Sequence, residues 1–300
     1  MAAREFLSTK VYGDSAAKTV IVFLAGFPDD ETSGWGDVLV NFQKAPDKYR
    51  LVCCCLPDFE TSAAGKRRAW GYSINECVDL LERTIDEQVP DRRQKVVLCI
   101  HDWGSLVGIL YENRHPERVA SALLFDVACS VGPGKAFPLL LGATPYFILA
   151  LYQVWWSFAY AVGQALSPLL GDVVFALYNL CVPAFLTPVS VKRGIPRPRK
   201  EISIEMCYIY FSFWRGMLSD EVVRKRQTPR RLTCPLLFFW GRDKNIMFHD
   251  AKFLADIDQR SDGSRHVGVE AGHWMTSGPA GAVCIREVDA FLGATPPTKG

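Results

Sequence analysis

The sequence predicts an α/β fold: a mostly parallel central sheet with helices on both faces, interrupted by an inserted helical segment. Three observations predict it. Short apolar, β-branched runs alternate with amphipathic segments in both halves of the chain. Each run stops abruptly at Gly, Pro or Asp, at the carboxyl strand ends where such sheets bind ligands. Between the halves, residues 136–171 carry no charged side chain.

The elements follow in order. Residues 19–24 (TVIVFL) read as a buried strand that runs into the loop Ala25-Gly26-Phe27-Pro28. Residues 50–55 (RLVCCC) read as a second strand, ending at Leu56-Pro57-Asp58-Phe59. Residues 73–88 read as a helix, because Ile74, Cys77, Val78, Leu81 and Ile85 fall on one face. Residues 96–100 (VVLCI) are the central strand, cut off at His101-Asp102-Trp103-Gly104. A helical pattern through Leu106, Val107, Leu110 and Tyr111 follows, up to His115-Pro116. Residues 122–125 form a further strand ending in Asp126.

The pattern then breaks. Residues 145–166 are long enough to cross a bilayer. Pro145, Gln153, Gly163, Gln164 and Pro168 interrupt them, and six prolines fall between Pro133 and Pro188, so a helical lid over an apolar pocket is the preferred reading. Two basic runs follow: Lys192, Arg193, Arg197, Arg199 and Lys200, then Arg224, Lys225, Arg226, Arg230 and Arg231. They read as solvated surface or as a patch that meets anionic lipid beside the lid, giving peripheral membrane contact. The alternation resumes with a strand at 236–240, ending in Gly241-Arg242-Asp243. A helix at 251–257 comes next, then a last strand at 265–269 leading to Gly272-His273-Trp274, and a closing helix at 280–291. The expected division is a core of 1–127 and 232–300 with a cap of 128–231.

Composition narrows the function. The chain has 300 residues, 49% of them hydrophobic, enough for a large core. A net charge of +2 gives no global field for nucleic acid. The ten cysteines show no metal spacing, and Cys53, Cys54 and Cys55 are consecutive, so they bridge one another poorly. Residues 1–10 lack the apolar segment of a secretory leader. An intracellular, cytoplasmic setting with reduced, buried thiols is expected. No cofactor or metal is called for, and the oligomeric state stays open.

Strand, sharp turn and helix at 96–108 are the context of a nucleophile elbow, with Asp102 at the tip. Gly104 fits a turn with no room for a Cβ. The helix N-terminus favours an anion at that point. The competing reading of Asp102 is a plain helix N-cap. A nucleophilic Asp needs a base, a group that orients the base, and donors for developing charge. His273 is the candidate base, and the backbone N–H groups of Phe27 and Trp103 are the candidate donors.

These residues resemble the α/β-hydrolase superfamily and, within it, the branch of epoxide hydrolases and haloalkane dehalogenases. The resemblance spans nearly the whole chain. It is carried by His101-Asp102-Trp103-Gly104, Gly26-Phe27-Pro28, His115-Pro116-Glu117-Arg118-Val119 and Gly272-His273-Trp274. Esterases and lipases of this fold place Ser in G-x-S-x-G, whereas Ser105 here falls on the helix side of the turn. The resemblance implies an α/β-hydrolase core with a cap and a two-step reaction. Asp102 would attack carbon to form an alkyl-enzyme ester, and His273 would activate the water that hydrolyses it. It also implies two cap tyrosines that donate to an epoxide oxygen. Tyr146 or Tyr152 is the first candidate. The second usually lies where this chain has Trp214, with Tyr208 and Tyr210 near enough to substitute. Trp103 with Trp214 is similar to the halide-binding pair of dehalogenases. The acid that orients His273 is Asp126 or Asp243, with Asp126 favoured because the G-x-x-D spacing puts Lys244 where Asp is expected. Ala25 and Ile100 depart from the family's His and small residue. The expected substrate is a small apolar epoxide. The alternatives are an apolar halide, or a catalytically silent hydrolase-fold binding protein.

Overall fold

A computed structural model describes residues 5–60, 68–130, 132–133, 144–182 and 202–294. The elements of the first half are β1 (Thr9–Tyr12), β2 (Thr19–Leu24), α1 (Gly36–Gln43), β3 (Tyr49–Cys54), α2 (Ile74–Gln88), β4 (Val96–His101), α3 (Trp103–Arg114) and β5 (Val119–Phe125). The insertion contributes β6 (Gly132–Pro133), α4 (Thr144–Ala165), α5 (Pro168–Cys181), α6 (Tyr208–Met217) and α7 (Glu221–Arg226). The chain ends with β7 (Leu236–Gly241), β8 (Ile246–Met247), α8 (Ala251–Asp258), β9 (Arg265–Val269) and α9 (Gly278–Ala294).

Seven strands form one sheet in the order β1-β3-β2-β4-β5-β7-β9. All neighbours are parallel except β1, which pairs antiparallel with β3 at the edge. β4 lies centrally, and all six of its residues are buried, as expected of a parallel strand covered on both faces. Side chains alternate across the sheet. Val20, Val22, Leu24, Val52, Leu98 and Ile100 join one core with α2, α3 and α4 to α6. Ile21, Phe23, Leu51, Cys53, Val97 and Cys99 join the other with α1 and α9. The same period of two sends Cys53 and Cys54 to opposite faces, and every cysteine is a free thiol. α2 begins with a capping box in which the Ser73 hydroxyl accepts from the Glu76 N–H and the Glu76 carboxylate accepts from the Ser73 N–H.

The sequence reading missed β1 and α1. β1 is a four-residue edge strand with two exposed positions, and α1 is only eight residues long, so neither carries a clear apolar period. The predicted 145–166 segment is one helix of 22 residues, because Pro145 falls at its start, where no backbone donor is needed. Among the described residues no helix is long and apolar enough to cross a membrane. The basic run 192–200 lies outside the described residues. In the second run, Arg224, Lys225 and Arg226 are exposed on α7, and Arg231 pairs with Asp256 at 2.5 Å.

α4 to α6 close over the carboxyl end of β4. Tyr152, Ala159, Tyr160, Tyr178, Ile204 and Met206 continue the core that contains Leu24, Phe27 and Trp103. Buried Glu112 of α3 holds the chain where it returns to the sheet. Its Oε1 accepts from the Thr233 N–H at 2.8 Å, the Thr233 hydroxyl at 2.6 Å and the Cys234 N–H at 3.2 Å.

Candidate active site

Asp102 sits between β4 and α3 at φ 53°, a backbone region that non-glycine residues enter only under constraint. The constraint is steric and comes from two glycines. A Cβ on Gly104 would lie 2.0 Å from the Leu24 carbonyl oxygen, so only glycine lets α3 start this close to β2. A Cβ on Gly26 would lie 2.4 Å from Asp102 Oδ2, so only glycine lets the loop after β2 reach the carboxylate. Ile100, large for its place, is accommodated because Gly108 faces it. A Cβ there would stand 2.7 Å from Ile100 Cγ2.

The Asp102 carboxylate makes no capping bond to the second or third N–H of α3, which argues against the N-cap reading. Instead its Oδ2 accepts from the Phe27 N–H at 2.6 Å, and the Trp103 N–H also donates to the carboxylate. Burial pushes its pKa up, while His273 and the two N–H donors pull it back.

His273 comes from the loop after β9 and is buried. Its Nδ1–H donates to Asp126 Oδ2 at 2.6 Å, and its Nε2 lies 3.7 Å from Asp102 Oδ1, too far for a hydrogen bond. Asp126, at the end of β5, is fully buried. Burial alone would raise its pKa, but Lys244 and His273 outweigh that and hold it well below the usual carboxylate range. Its Oδ1 accepts from Lys244 Nζ at 2.5 Å and the Gly241 N–H at 3.2 Å. The two nitrogens of His273 thus face Asp126 and Asp102. The Asp243 N–H donates to the Ala271 carbonyl at 2.9 Å.

Of the aromatic candidates, the structure brings Phe27, Trp103, Tyr152 and Tyr210 together. The Tyr210 ring meets Trp103 at 4.9 Å, Phe27 at 5.5 Å and Tyr152 at 5.9 Å between centroids. Burial, reinforced by the charge of Asp102, keeps both phenols protonated far above their ordinary range. The Trp103 indole beside Tyr210 pulls its phenol only part of the way back, and Tyr152 accepts from Gln153 Nε2 at 3.1 Å. Each hydroxyl therefore keeps its own proton to donate.

Three candidates lie elsewhere. Tyr146 is 58% exposed, near the start of α4. Tyr208, two residues before Tyr210, points into the core, with its hydroxyl 3.9 Å from Cys77 Sγ and its ring against Phe59 and Tyr72. Trp214 spends its indole N–H on Gln153 Oε1 at 3.1 Å, and its ring packs on Phe213. A helix turns 100° per residue, and the direction of α6 was not readable from its sequence.

Four neighbours of the site went unnoticed as site residues. Lys244 is described above. His101 donates from Nε2 to the His273 carbonyl at 3.1 Å. Burial and the neighbouring His273 lower its pKa to about 3, so it stays uncharged. Asp29, fully buried, accepts from the Trp274 indole at 2.9 Å and the Ser33 hydroxyl at 3.0 Å, and burial pushes its pKa up to about 6. Trp156 packs on Phe27 and Tyr210, and its indole N–H is buried without a partner among the described residues. Lys244 stands in the sequence where an acid is expected, and His101 belongs to the elbow motif itself, whereas Asp29 and Trp156 carry no comparable signal. Among the described residues no group of His, Cys, Asp and Glu is arranged to hold a metal.

No protein-family profile matches the chain. It is 23% identical to human epoxide hydrolase 4 over 268 residues, covering 86% of this chain and 68% of that protein. It is 26% identical to the cis-3-alkyl-4-alkyloxetan-2-one decarboxylase of Shewanella oneidensis over 92 residues, which spans only 28% of that protein. Among solved structures, a haloalkane dehalogenase loop variant from Bradyrhizobium elkanii superposes with a TM-score of 0.62 at 14% identity, covering 97% of this chain and 95% of that one. A Bacillus megaterium epoxide hydrolase mutant bound to its product superposes with a TM-score of 0.60 at 18% identity, covering 96% of each chain. Such identities speak for the fold. With the sheet order, the strand–turn–helix elbow and the helices inserted between β5 and β7, they show that this chain has the α/β-hydrolase fold.

Proposed function

We propose that the protein is a hydrolase that opens a small apolar epoxide through an ester on Asp102. One observation carries this reading furthest: two buried tyrosines of the cap, Tyr152 and Tyr210, each with a proton to give, stand within the field of Asp102. In the first step Asp102 Oδ1 attacks an epoxide carbon. The C–O bond of the ring breaks, and the ring oxygen takes a proton from one of the tyrosines. Acid assistance of this kind is worth roughly 10²–10⁴-fold. In the second step His273 Nε2 takes a proton from water, and the hydroxide attacks the Asp102 carboxyl carbon. The oxyanion develops on Oδ2, which the Phe27 and Trp103 N–H groups already hold. The ester C–O bond breaks, the departing alkoxide takes the Asp102 carboxyl proton and leaves as the diol, and the imidazolium's proton returns through solvent to the tyrosinate left by the first step. Asp126 orients His273 throughout and offsets its transient charge.

A haloalkane is the second reading, favoured by the unpartnered indole N–H of Trp156 beside Phe27 and Tyr210. Trp103 and Trp214 do not form the expected pair: the Trp214 indole N–H donates to Gln153 Oε1, and the Trp103 ring packs on Tyr210 and Phe213. The outer face of the cap supports peripheral contact with a bilayer. Phe147, Val154, Phe158, Leu169, Val173 and Leu180 are exposed on α4 and α5, and Asp172 is the only charged residue of those two helices.

Intact-mass spectrometry of His273→Gln tests the chemistry, since an ester formed without the base persists. An added mass equal to a whole epoxide, absent from His273→Gln/Asp102→Asn, is expected. An added alkyl group with halide released supports the second reading. No adduct from epoxides or haloalkanes, with an inert wild type, overturns both and leaves a binding protein.

A further inference from the structure

Lys244 stands where the G-x-x-D spacing calls for an acid, and its side chain is buried in the catalytic neighbourhood. Its ammonium lies 2.5 Å from Asp126 Oδ1, and neither side chain is exposed. The other oxygen of the same carboxylate holds His273 Nδ1 at 2.6 Å. The ammonium also sits 4.8 Å from the centre of the Phe248 ring, and that ring is 5.8 Å from the His273 ring. A lysine so deeply buried persists only when its charge is matched. Asp126 matches it, so one carboxylate is divided between a cation and an imidazole.

We propose that Lys244 is a positioning residue that neutralises Asp126, so that Asp126 orients His273 without holding it protonated. The inference rests on reading His273 as the base. An unshared buried carboxylate stabilises an imidazolium strongly. Here the imidazolium would face a neutral Lys–Asp pair, and the ammonium beside it opposes a second positive charge. The imidazole stays oriented and stays free to take a proton from water. Burial disfavours the charged form of Lys244, and the charge of Asp126 opposes that loss. The other titratable groups around His273 and Lys244 are Asp102 at the elbow, His101 on β4, Asp29 after β2 and His249 ahead of α8. All four are unchanged in the variants below.

The test is the titration of His273 followed by NMR of the imidazole carbons in the full chain. There are only five histidines, and His273→Gln assigns the signal. In Lys244→Met, His273 is expected to titrate about one pH unit higher than in wild type, and Lys244→Arg is expected to match wild type. Ester hydrolysis in Lys244→Met should lose rate at a correspondingly higher pH on the acid side. Superimposable titrations of Lys244→Met and wild type overturn the inference. If Lys244→Met does not fold, Lys244→Met/Asp126→Asn removes both buried charges together. It is expected to titrate close to wild type, and a titration well below wild type overturns the inference. The titration needs no substrate, so failure of the proposed reaction shows in the mass spectra and failure of this inference shows in the NMR.

Discussion

Replacing Asp29 with Asn isolates the cost of a buried carboxylate beside the site. Asp29 is fully buried and holds two hydrogen bonds, from Trp274 and Ser33. Burial nevertheless dominates and moves its pKa from 3.8 to about 6, with His273 pulling it down and Asp102 pushing it up. The folded state therefore binds a proton that the unfolded state has lost, across the window from about pH 4 to about pH 6. In that window the folded form binds more protons, so stability falls as pH rises and is lowest, as far as this group is concerned, above pH 6. The gap corresponds to about 3 kcal/mol at 1.36 kcal/mol per pH unit, an order-of-magnitude figure. Asn keeps an acceptor for Trp274 and offers a donor to the Ser33 oxygen without the charge. The stability of Asp29→Asn relative to wild type should thus improve by about 3 kcal/mol between pH 4 and pH 7. Urea unfolding of both proteins at half-unit steps of pH measures the difference. A difference that stays flat across the window, or that runs the other way, refutes the argument that burial outweighs the two hydrogen bonds.

Other predictions follow from single contacts. Gly108→Ala drives a Cβ to 2.7 Å from Ile100 Cγ2, so it should cost about 1–3 kcal/mol alone and little or nothing in an Ile100→Ala background, read as a double-mutant cycle in denaturant. Asp126→Asn should slow hydrolysis of the Asp102 ester by roughly a hundredfold or more, while Asp243→Asn leaves it within about twofold, and stopped-flow single turnovers distinguish the two. The wild type should co-sediment with vesicles containing anionic lipid, and Phe147→Glu/Phe158→Glu should lose that association. A wild type that stays in the supernatant at low ionic strength refutes the membrane contact.

Much of the fold was legible along the chain. The buried parallel strands announce themselves as unbroken apolar runs, and the elbow as an abrupt change from period two to helical spacing around Gly104. These are local signals: a covered strand needs apolar side chains on both faces, and a tight turn needs a missing Cβ. Asp102, His273 and the loop at Phe27 could be named because strand ends of one parallel sheet converge on one edge. The order of β1 and the existence of α1 were not legible, since short, half-exposed elements carry almost no period.

What the sequence by itself determined is the sheet, the elbow and the set of residues at its edge. Which of those residues face one another was decided only in three dimensions. Asp126 rather than Asp243 meets His273 because β5 and β7 are neighbours and the chain after Gly241 turns Lys244 back onto the same carboxylate. Tyr152 and Tyr210 rather than Tyr146 and Tyr208 approach Asp102 because the rotation of α4 and α6 is set by packing against the core, and no local pattern states that angle.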